Sequence, residues 1–499
     1  MRTAVHGMPR IGKGRALKWA LEGFWAGRLD AEALETEASA IRRRNWQILA
    51  EAGVDLIPSN DFSLYDHVLD AALMVGAVPA RFRSGDELLE LDRYFALARG
   101  GDMDGRPVAP LELTKWFDTN YHHLVTVLDS LVDTYAEVLA EVARQGAVWV
   151  RLDEPVLVED RTDDELAALR RAYRRLSEQP GRPSIVVSTY FGHVGSAMTV
   201  LADLPVEGVG LDFCRGQENL ALLSEVDGLD KKVLFAGVVD GRNVWANDLD
   251  ASLDLLERLT SLCDEVVVST SCSLLHVPLG LGTEGEIDDE VRPWLAFAEE
   301  KLGELAVLSK GATEGRAAVA AAIQTNRAVL EARNRSPRVR DAKVRRAMAS
   351  TAVDPQRSPT FEERVEPQRT RLGLPLLPTT TIGSFPQTVG LRAARAAWRA
   401  GRSGDDEYRG RLRFEIDRVV ALQEELGLDV ILHGEPERDD MVRYFAAQLT
   451  RFVLPQDGWV QSYGFALRTA AGAFRGRDQT GAHDPRVDPL CPVTHHEAG

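Results

Sequence analysis

Long apolar runs, paired cysteines and a surplus of positive charge are all missing from this 499-residue sequence. Each absence narrows what the chain can do. No run is long enough to cross a bilayer and the N-terminus has no signal-peptide core, so the chain reads as a cytoplasmic protein. Its four cysteines, Cys214, Cys263, Cys272 and Cys491, stand far apart with no CxxC pair. That spacing suits reduced core thiols better than disulfides or a structural zinc site. The formal net charge of −17 argues against nucleic acid or an anionic membrane as the main partner, because both need a basic face. A locally basic pocket stays compatible with that balance. What remains is an ordinary globular composition, 44% hydrophobic and 27% charged, with room for two or three domains.

The most informative stretch is Thr379 to Thr388, TTTIGSFPQT, taken together with His433 to Met441, HGEPERDDM. Between them run an amphipathic helical segment, Leu391–Leu426, and a short apolar run, Leu428–Leu432, that reads as a strand. The two motifs should therefore meet at one end of a strand-helix-strand unit, where ligands bind. The start of the chain repeats this pattern. EAGVDLIPSNDFSLYDHV opposes EELGLDVILHGEPERDDMV, so that Gly53, Asp55, Asp61, Asp66 and Val68 face Gly427, Asp429, Glu435, Asp440 and Val442 at a constant offset of 374. A second copy beginning near Thr379 should need about 300 residues for a barrel-sized domain. About 120 remain, so the second copy is expected to be incomplete.

Strand-like runs occur at Thr3–Gly7, Val54–Pro58, Ala147–Leu152, Ser184–Tyr190, Gly208–Phe213, Val233–Val239 and Glu265–Thr270, with helical patterns in most intervals. Strand alternating with helix implies a parallel sheet, and seven such units imply a closed barrel. The expected fold is α/β: an N-terminal (β/α)8-type barrel one strand short, followed by the start of a second, duplicated barrel that is incomplete. The missing strand falls between Asn60 and Ala147. Expected domains are residues 1–306 for the first barrel, 307–378 for a helical and polar connector, 379–464 for the second barrel and 465–499 for a disordered tail without strands. Polar residues cluster at the strand ends: Asp61, Asp153, Glu154, Tyr190, Asp212, Asp240, Asn243, Ser273 and His276. Such positions carry binding or catalysis in barrels, although Asp and Ser there also cap the next helix. Cys491, His495 and His496 fall short of a four-ligand zinc spacing.

The motifs PRIGKGRALK, TKWFDTNYHH, LDEPVLV, GRNVW, STSCSLLHVP, TTTIGSFPQT, HGEPERDDMVRYF and DGWVQSYG, in that order, resemble cobalamin-independent methionine synthase across residues 1–464. That family moves a methyl group from 5-methyltetrahydropteroyltri-L-glutamate to L-homocysteine, the last step of methionine biosynthesis. The resemblance implies two face-to-face (β/α)8 barrels, a monomer, small-molecule substrates and no cobalamin. It assigns folate contacts to Arg15, Ala16, Leu17, Lys18 and Lys115, and homocysteine contacts to Ile382, Gly383, Ser384 and Glu435. Arg and Lys suit a polyanionic glutamate tail, and a Gly-Ser turn can offer N–H groups to an amino-acid carboxylate while Glu435 faces the ammonium. The resemblance also implies Zn2+ held by a His, two Cys and a Glu, which would make homocysteine a thiolate, and a His that serves the leaving group. All of those positions lie past DGWVQSYG. The residues from Phe465 on do not match the pattern, and about 50 residues of it are missing near His123. The reading is therefore a methionine synthase by family whose zinc site is absent and whose activity is lost, with a folylpolyglutamate-binding module without catalysis as its alternative.

Overall fold

The computed structural model describes residues 1–78, 91–103, 106–108, 121–350, 357–449, 452–461 and 467–469. These fall into two compact units, Met1–Asn334 together with the segment that starts at Pro455, and Arg335–Leu454.

The first unit is built on a curled parallel sheet of six strands: β1 (Thr3–Ala4), β4 (Trp149–Asp153), β5 (Ser184–Ser188), β6 (Gly208–Asp212), β7 (Val233–Val239) and β8 (Glu265–Thr270). Their order is β1-β8-β7-β6-β5-β4. A separate antiparallel hairpin joins β2 (Gly101–Met103) to β3 (Arg106–Val108). Period-two alternation sorts each strand's side chains between the two faces. Ala4, Val186, Phe235 and Val267 meet inside the curl, with Trp149 of β4 packed edge-on against Phe235 at 5.7 Å. Their neighbours Ile185, Val187, Val209, Leu234, Ala236 and Val268 face outward into the main core.

Helices supply the other side of that core. The helices of this unit are α1 (Ala16–Trp25), α2 (Ala31–Glu51), α3 (His67–Met74), α4 (Leu91–Arg99), α5 (Tyr121–Arg144), α6 (Asp163–Ser177), α7 (Ala197–Asp203), α8 (Asn219–Ser224), α9 (Leu249–Thr260), α10 (Ala298–Glu314) and α11 (Ala320–Arg335); α2 and α5–α11 line that core, whereas α1, α3 and α4 pack with α2 in a second cluster around Leu17, Leu21, Leu69 and Phe95. Thr162 and Glu165 form a reciprocal capping box at α6, while Asp30, Asp66 and Asp248 accept from the first-turn N–H groups of α2, α3 and α9.

The barrel expectation needs correcting. Of the seven expected strands six form, and Val54–Pro58 shrinks to a single parallel bridge between Leu56 and Ala4. Among the described residues the sheet is an open curl. Its open side runs from Leu56 to β4, where the eighth strand was missing from the sequence. Every residue of β4 except Asp153 is half-buried, and Asp153 is exposed, whereas β6 is buried throughout. A run with a neighbour on one side alone makes fewer ladder bonds, which is why the Leu56 segment does not develop into a strand.

His6, just after β1, is buried as a neutral base. Its Nδ1 lies 3.4 Å from Thr270 Oγ1, its Nε2 has no hydrogen-bond partner among the described residues, and its carbonyl accepts from Arg151 Nη2 at 2.6 Å. Burial first, and the Arg151 charge second, hold its pKa well below 6.5. The stability this confers is complete above pH 6.5 and is lost as pH falls, because the unfolded chain then takes up a proton that the folded chain refuses. Below that point His6 should remove about 1.4 kcal/mol of stability per pH unit. Urea titrations between pH 7 and 5 should show that slope in the native chain and a shallower one in His6→Gln.

The second unit contains α12 (Ala342–Ser350), α13 (Phe361–Leu372), α14 (Val389–Arg399), α15 (Asp405–Glu425) and α16 (Met441–Gln448). The expected helical stretch Leu391–Leu426 is thus two helices, broken at Gly401, whose φ of 68° ends α14 in the left-handed region. Leu391, Tyr408 and Leu412 make its small core, with Trp398 stacked on Tyr408 at 4.7 Å. Leu428–Leu432 was expected as a strand and is not one. Its one described backbone–backbone bond to the Thr379 segment runs from Val430 N to Thr379 O, 3.0 Å, the other contacts being made through the Asp429 and Thr379 side chains, and one such bond is no ladder.

The absence of strands after Phe465 is also corrected. Leu467–Thr469 forms a short strand, β10, antiparallel to β9 (Trp459–Gln461). The remaining residues from Phe465 onward, Cys491, His495 and His496 among them, lie outside the described residues.

Candidate functional site

The offset seen in the sequence reappears as matched contacts. Thr3 N donates to Asp55 Oδ2 at 2.7 Å, and Thr379 N donates to Asp429 Oδ2 at 2.7 Å. Leu56 N reaches Thr3 O at 3.0 Å just as Val430 N reaches Thr379 O. Helices α2 and α15 each have 21 residues, and Asp66 and Asp440 each cap the next helix. In both places a Thr-Asp clasp fixes where the chain turns, so the following loop is aimed the same way.

In the second unit that loop pair is the site. Phe385 N donates to Gly434 O at 2.9 Å, which joins the TIGSFP and HGEPER turns. Gly383, at φ 129°, sits so close to the second turn that a Cβ there would meet Glu435 Oε1 at 3.1 Å. Glu435 itself is left-handed, φ 55°, a conformation unusual for a glutamate and often associated with functional positions. Arg438 Nη1 holds its Oε1 at 2.7 Å, and Arg438 Nε reaches Glu437 at 3.1 Å. His433 Nε2 lies 3.3 Å from the same Glu437 oxygen. Ile382 is fully exposed and Ser384 exposed, so this turn presents side chains outward around a buried glycine.

In the first unit the equivalent contact is Gly7 against Asp61, where a Cβ would lie 3.2 Å from Asp61 Oδ2. That carboxylate accepts from Met8 N at 2.8 Å, and burial pushes its pKa up. The oxygen corresponding to the one beside Gly383 is therefore engaged by the chain's own backbone.

Arg395 was not legible as part of the site. Only 6% exposed, it donates from Nη2 to Gln387 Oε1 at 2.8 Å and to Pro436 O at 2.5 Å, and from Nε to Tyr408 OH at 3.2 Å. It ties one helix to both turns. The signal available was an arginine on the apolar face of α14. Beside it, burial pushes Asp439 up, but Arg399 at 2.6 Å, with Arg395 and Arg443, holds its carboxyl below the usual range.

Arg15 and Lys18 sit where α1 begins. Arg15 is left-handed, φ 64°, and its guanidinium lies 5.2 Å from the Trp19 ring and 4.9 Å from the Trp459 ring. Lys18 Nζ is 5.3 Å from Trp19 and 3.7 Å from Glu22. Leu17 is 1% exposed and belongs to the core, so its side chain is closed to a ligand. Ala16 is half-buried beside it. Lys115 lies outside the described residues. The Trp459 segment is held by Glu284, whose two oxygens accept from Gln456 N at 2.6 Å and Asp457 N at 2.9 Å, a clasp with no signal in the sequence.

Among the described residues no group of three or more His, Cys, Asp and Glu is arranged to hold a metal ion. The described donors do not fit a resident zinc. No helix among the described residues is long and apolar enough to cross a membrane.

Comparison with known proteins agrees with this arrangement. The chain matches the N-terminal domain profile of the cobalamin-independent synthases over residues 2–130 and 124–264, and their catalytic domain profile over 377–482. The second match runs past Gly464, which corrects the expectation that nothing familiar follows it. A 5-methyltetrahydropteroyltriglutamate–homocysteine methyltransferase of Streptomyces avermitilis is 50% identical over 93% of this chain and 67% of its own length. Enzymes of the same name from Streptomyces griseus and Rhodococcus jostii are 48% and 46% identical over the same shares. Matched glycines, clasps and caps, two family profiles and this identity lead to one conclusion: the chain belongs to the cobalamin-independent methionine synthase family.

Proposed function

We propose that this protein binds the two substrates of methyl transfer from 5-methyltetrahydropteroyltri-L-glutamate to L-homocysteine. The observation that carries the reading is the Gly383–Glu435 contact. It places an acidic side chain in a left-handed turn directly beside a turn whose backbone N–H groups and Ser384 hydroxyl are suited to a carboxylate. In this reading the homocysteine carboxylate lies on Gly383 and Ser384, Ile382 packs against the methylenes of its thiol-bearing side chain, and Glu435 takes the ammonium. Arg15 and Lys18, with Lys115, take the glutamate tail. Stacking on indole rings leaves the edge of the Arg15 guanidinium free to form paired hydrogen bonds.

The same reading separates binding from turnover. The family's zinc set needs a His, two Cys and a Glu, yet the sequence after Gly464 has one cysteine, Cys491. The 499 residues alone are therefore expected to bind without transferring. Calorimetry with L-homocysteine and with the triglutamate folate, alongside a methyl-transfer assay in added zinc, tests both halves. Absence of binding would overturn the first and turnover the second.

A charge-specific result should accompany it. Arg15→Ala should weaken triglutamate binding about tenfold and hardly alter binding of the monoglutamate. Equal losses for the two ligands would place Arg15 outside the tail-binding surface.

A further inference from the structure

A cavity of about 360 Å3 opens beyond the C-terminal end of β7, in the first unit, built by residues to which neither the folate nor the homocysteine contacts are assigned. Its wall includes Asp240, Asn243, Trp245, Asn247, Lys301 and Arg333. The volume lies at the small end of the range for ligand pockets.

The local chain is held firmly. Trp245 bridges Leu295, flanked by Ala246 N to Trp294 O and Ala296 N to Val244 O, both 2.9 Å. Two cations converge on that tryptophan. Lys301, in the first turn of α10 and 0% exposed, donates from Nζ to Trp245 O at 3.2 Å. Arg333, near the end of α11, lies over the indole with its guanidinium carbon 3.7 Å from the ring centroid.

The charges around them divide unevenly. Glu304 and Asp240 are the acids whose charges act most strongly on Lys301, and Glu304 keeps Oε2 buried without a hydrogen-bond partner among the described residues while Oε1 accepts from Asn247 N at 2.7 Å. Asp240 is already occupied by Asn243 Nδ2 at 2.6 Å, Arg242 N at 2.8 Å and Arg215 at 3.3 Å. Asp248, also on the wall, spends one oxygen on the cap of α9 and has a second. Arg333 is half-buried, and no carboxylate among the described residues pairs with it. Its pKa is lowered by desolvation with no compensating charge. A planar cation stacked on an aromatic ring and lacking a counter-ion is suited to a bidentate carboxylate. A dianion would also meet Asp240 and Asp248, so a single carboxylate paired with a cationic group fits better.

We propose that this cavity is a binding site for a small α-amino acid, its carboxylate held by Arg333 and its ammonium directed to Asp248. Leu330 and Ala246 on the wall leave the side-chain end an apolar surface. The proposal does not depend on the homocysteine assignment, whose residues lie in the other unit.

Saturation-transfer NMR and calorimetry on the full chain, with L-leucine, acetate and inorganic phosphate as probes, test it. L-Leucine should bind, acetate should bind at least tenfold more weakly, and phosphate should not compete. Arg333→Gln should remove L-leucine binding at unchanged melting temperature, and Arg333→Lys should recover part of it, whereas Glu435→Gln should leave it intact. Failure of L-leucine to bind, binding unaffected by Arg333→Gln, or tighter binding of phosphate would each overturn the proposal. So would loss of L-leucine binding in Glu435→Gln, which would assign the signal to the other site.

Discussion

Replacing Arg395 with methionine should destabilise the second unit by about 3 kcal/mol. The side chain is buried, and its methylene stem could be replaced by methionine at little cost in packing. Its hydrogen bonds could not. Pro436 O, Gln387 Oε1 and Tyr408 OH would each lose a donor, and the carbonyl at 2.5 Å has no other described partner. Leaving a buried acceptor unpaired costs about 1 to 3 kcal/mol, and two further bonds to a charged donor are lost with it. Urea unfolding followed by a probe in α15 should show the shift, with the first unit unaffected. A loss below about 1 kcal/mol would mean that water replaces the guanidinium and that Arg395 does not hold the turns.

Glu435→Gln should weaken homocysteine binding by about 30-fold, within the range for a charge-assisted contact. The substitution keeps the side-chain volume beside Gly383 and removes the charge that would face the ammonium. It also breaks the ion pair with Arg438, which is half-buried and contributes modestly to stability. Binding and folding are thus distinguishable: calorimetry should report the affinity loss while the melting temperature moves little. Equal affinity in the two proteins would remove Glu435 from the site and return the ammonium to solvent. Gly383→Ala provides a second, steric test of the same contact, since the added Cβ would press on Glu435 in a backbone region that alanine rarely adopts.

How much of this was readable in advance depends on whether the interaction is local. The cap at Asp440 is a short-range event at a residue that the repeat had already paired with Asp66, which caps the corresponding helix. The repeat was readable because the paired positions, Gly53 with Gly427 and Asp55 with Asp429, carry the same backbone and side-chain demands in both copies. Strand formation was less readable. Leu428–Leu432 and Val54–Pro58 have strand composition, but a strand exists only beside a partner, and each of these runs makes a single backbone–backbone bond or bridge to its neighbour among the described residues. Composition recorded the preference and the neighbourhood overruled it.

The sequence by itself determined the family, the parallel α/β plan of the first unit and the two turns that carry Gly383 and Glu435. Those follow from periodicity, the repeat and ordered motifs, all of which are written in contiguous residues. Tertiary structure alone decided that the first sheet is an open curl, that Arg15 lies between Trp19 and Trp459, and that Arg395 ties α14 to both turns. It also decided that Lys301 and Arg333 converge on Trp245. Trp459 lies more than four hundred residues from Arg15, and Pro436 forty-one from Arg395. Contacts across such separations depend on where the whole chain folds, because no local preference of arginine selects an indole ring over a carbonyl until packing brings one of them within reach.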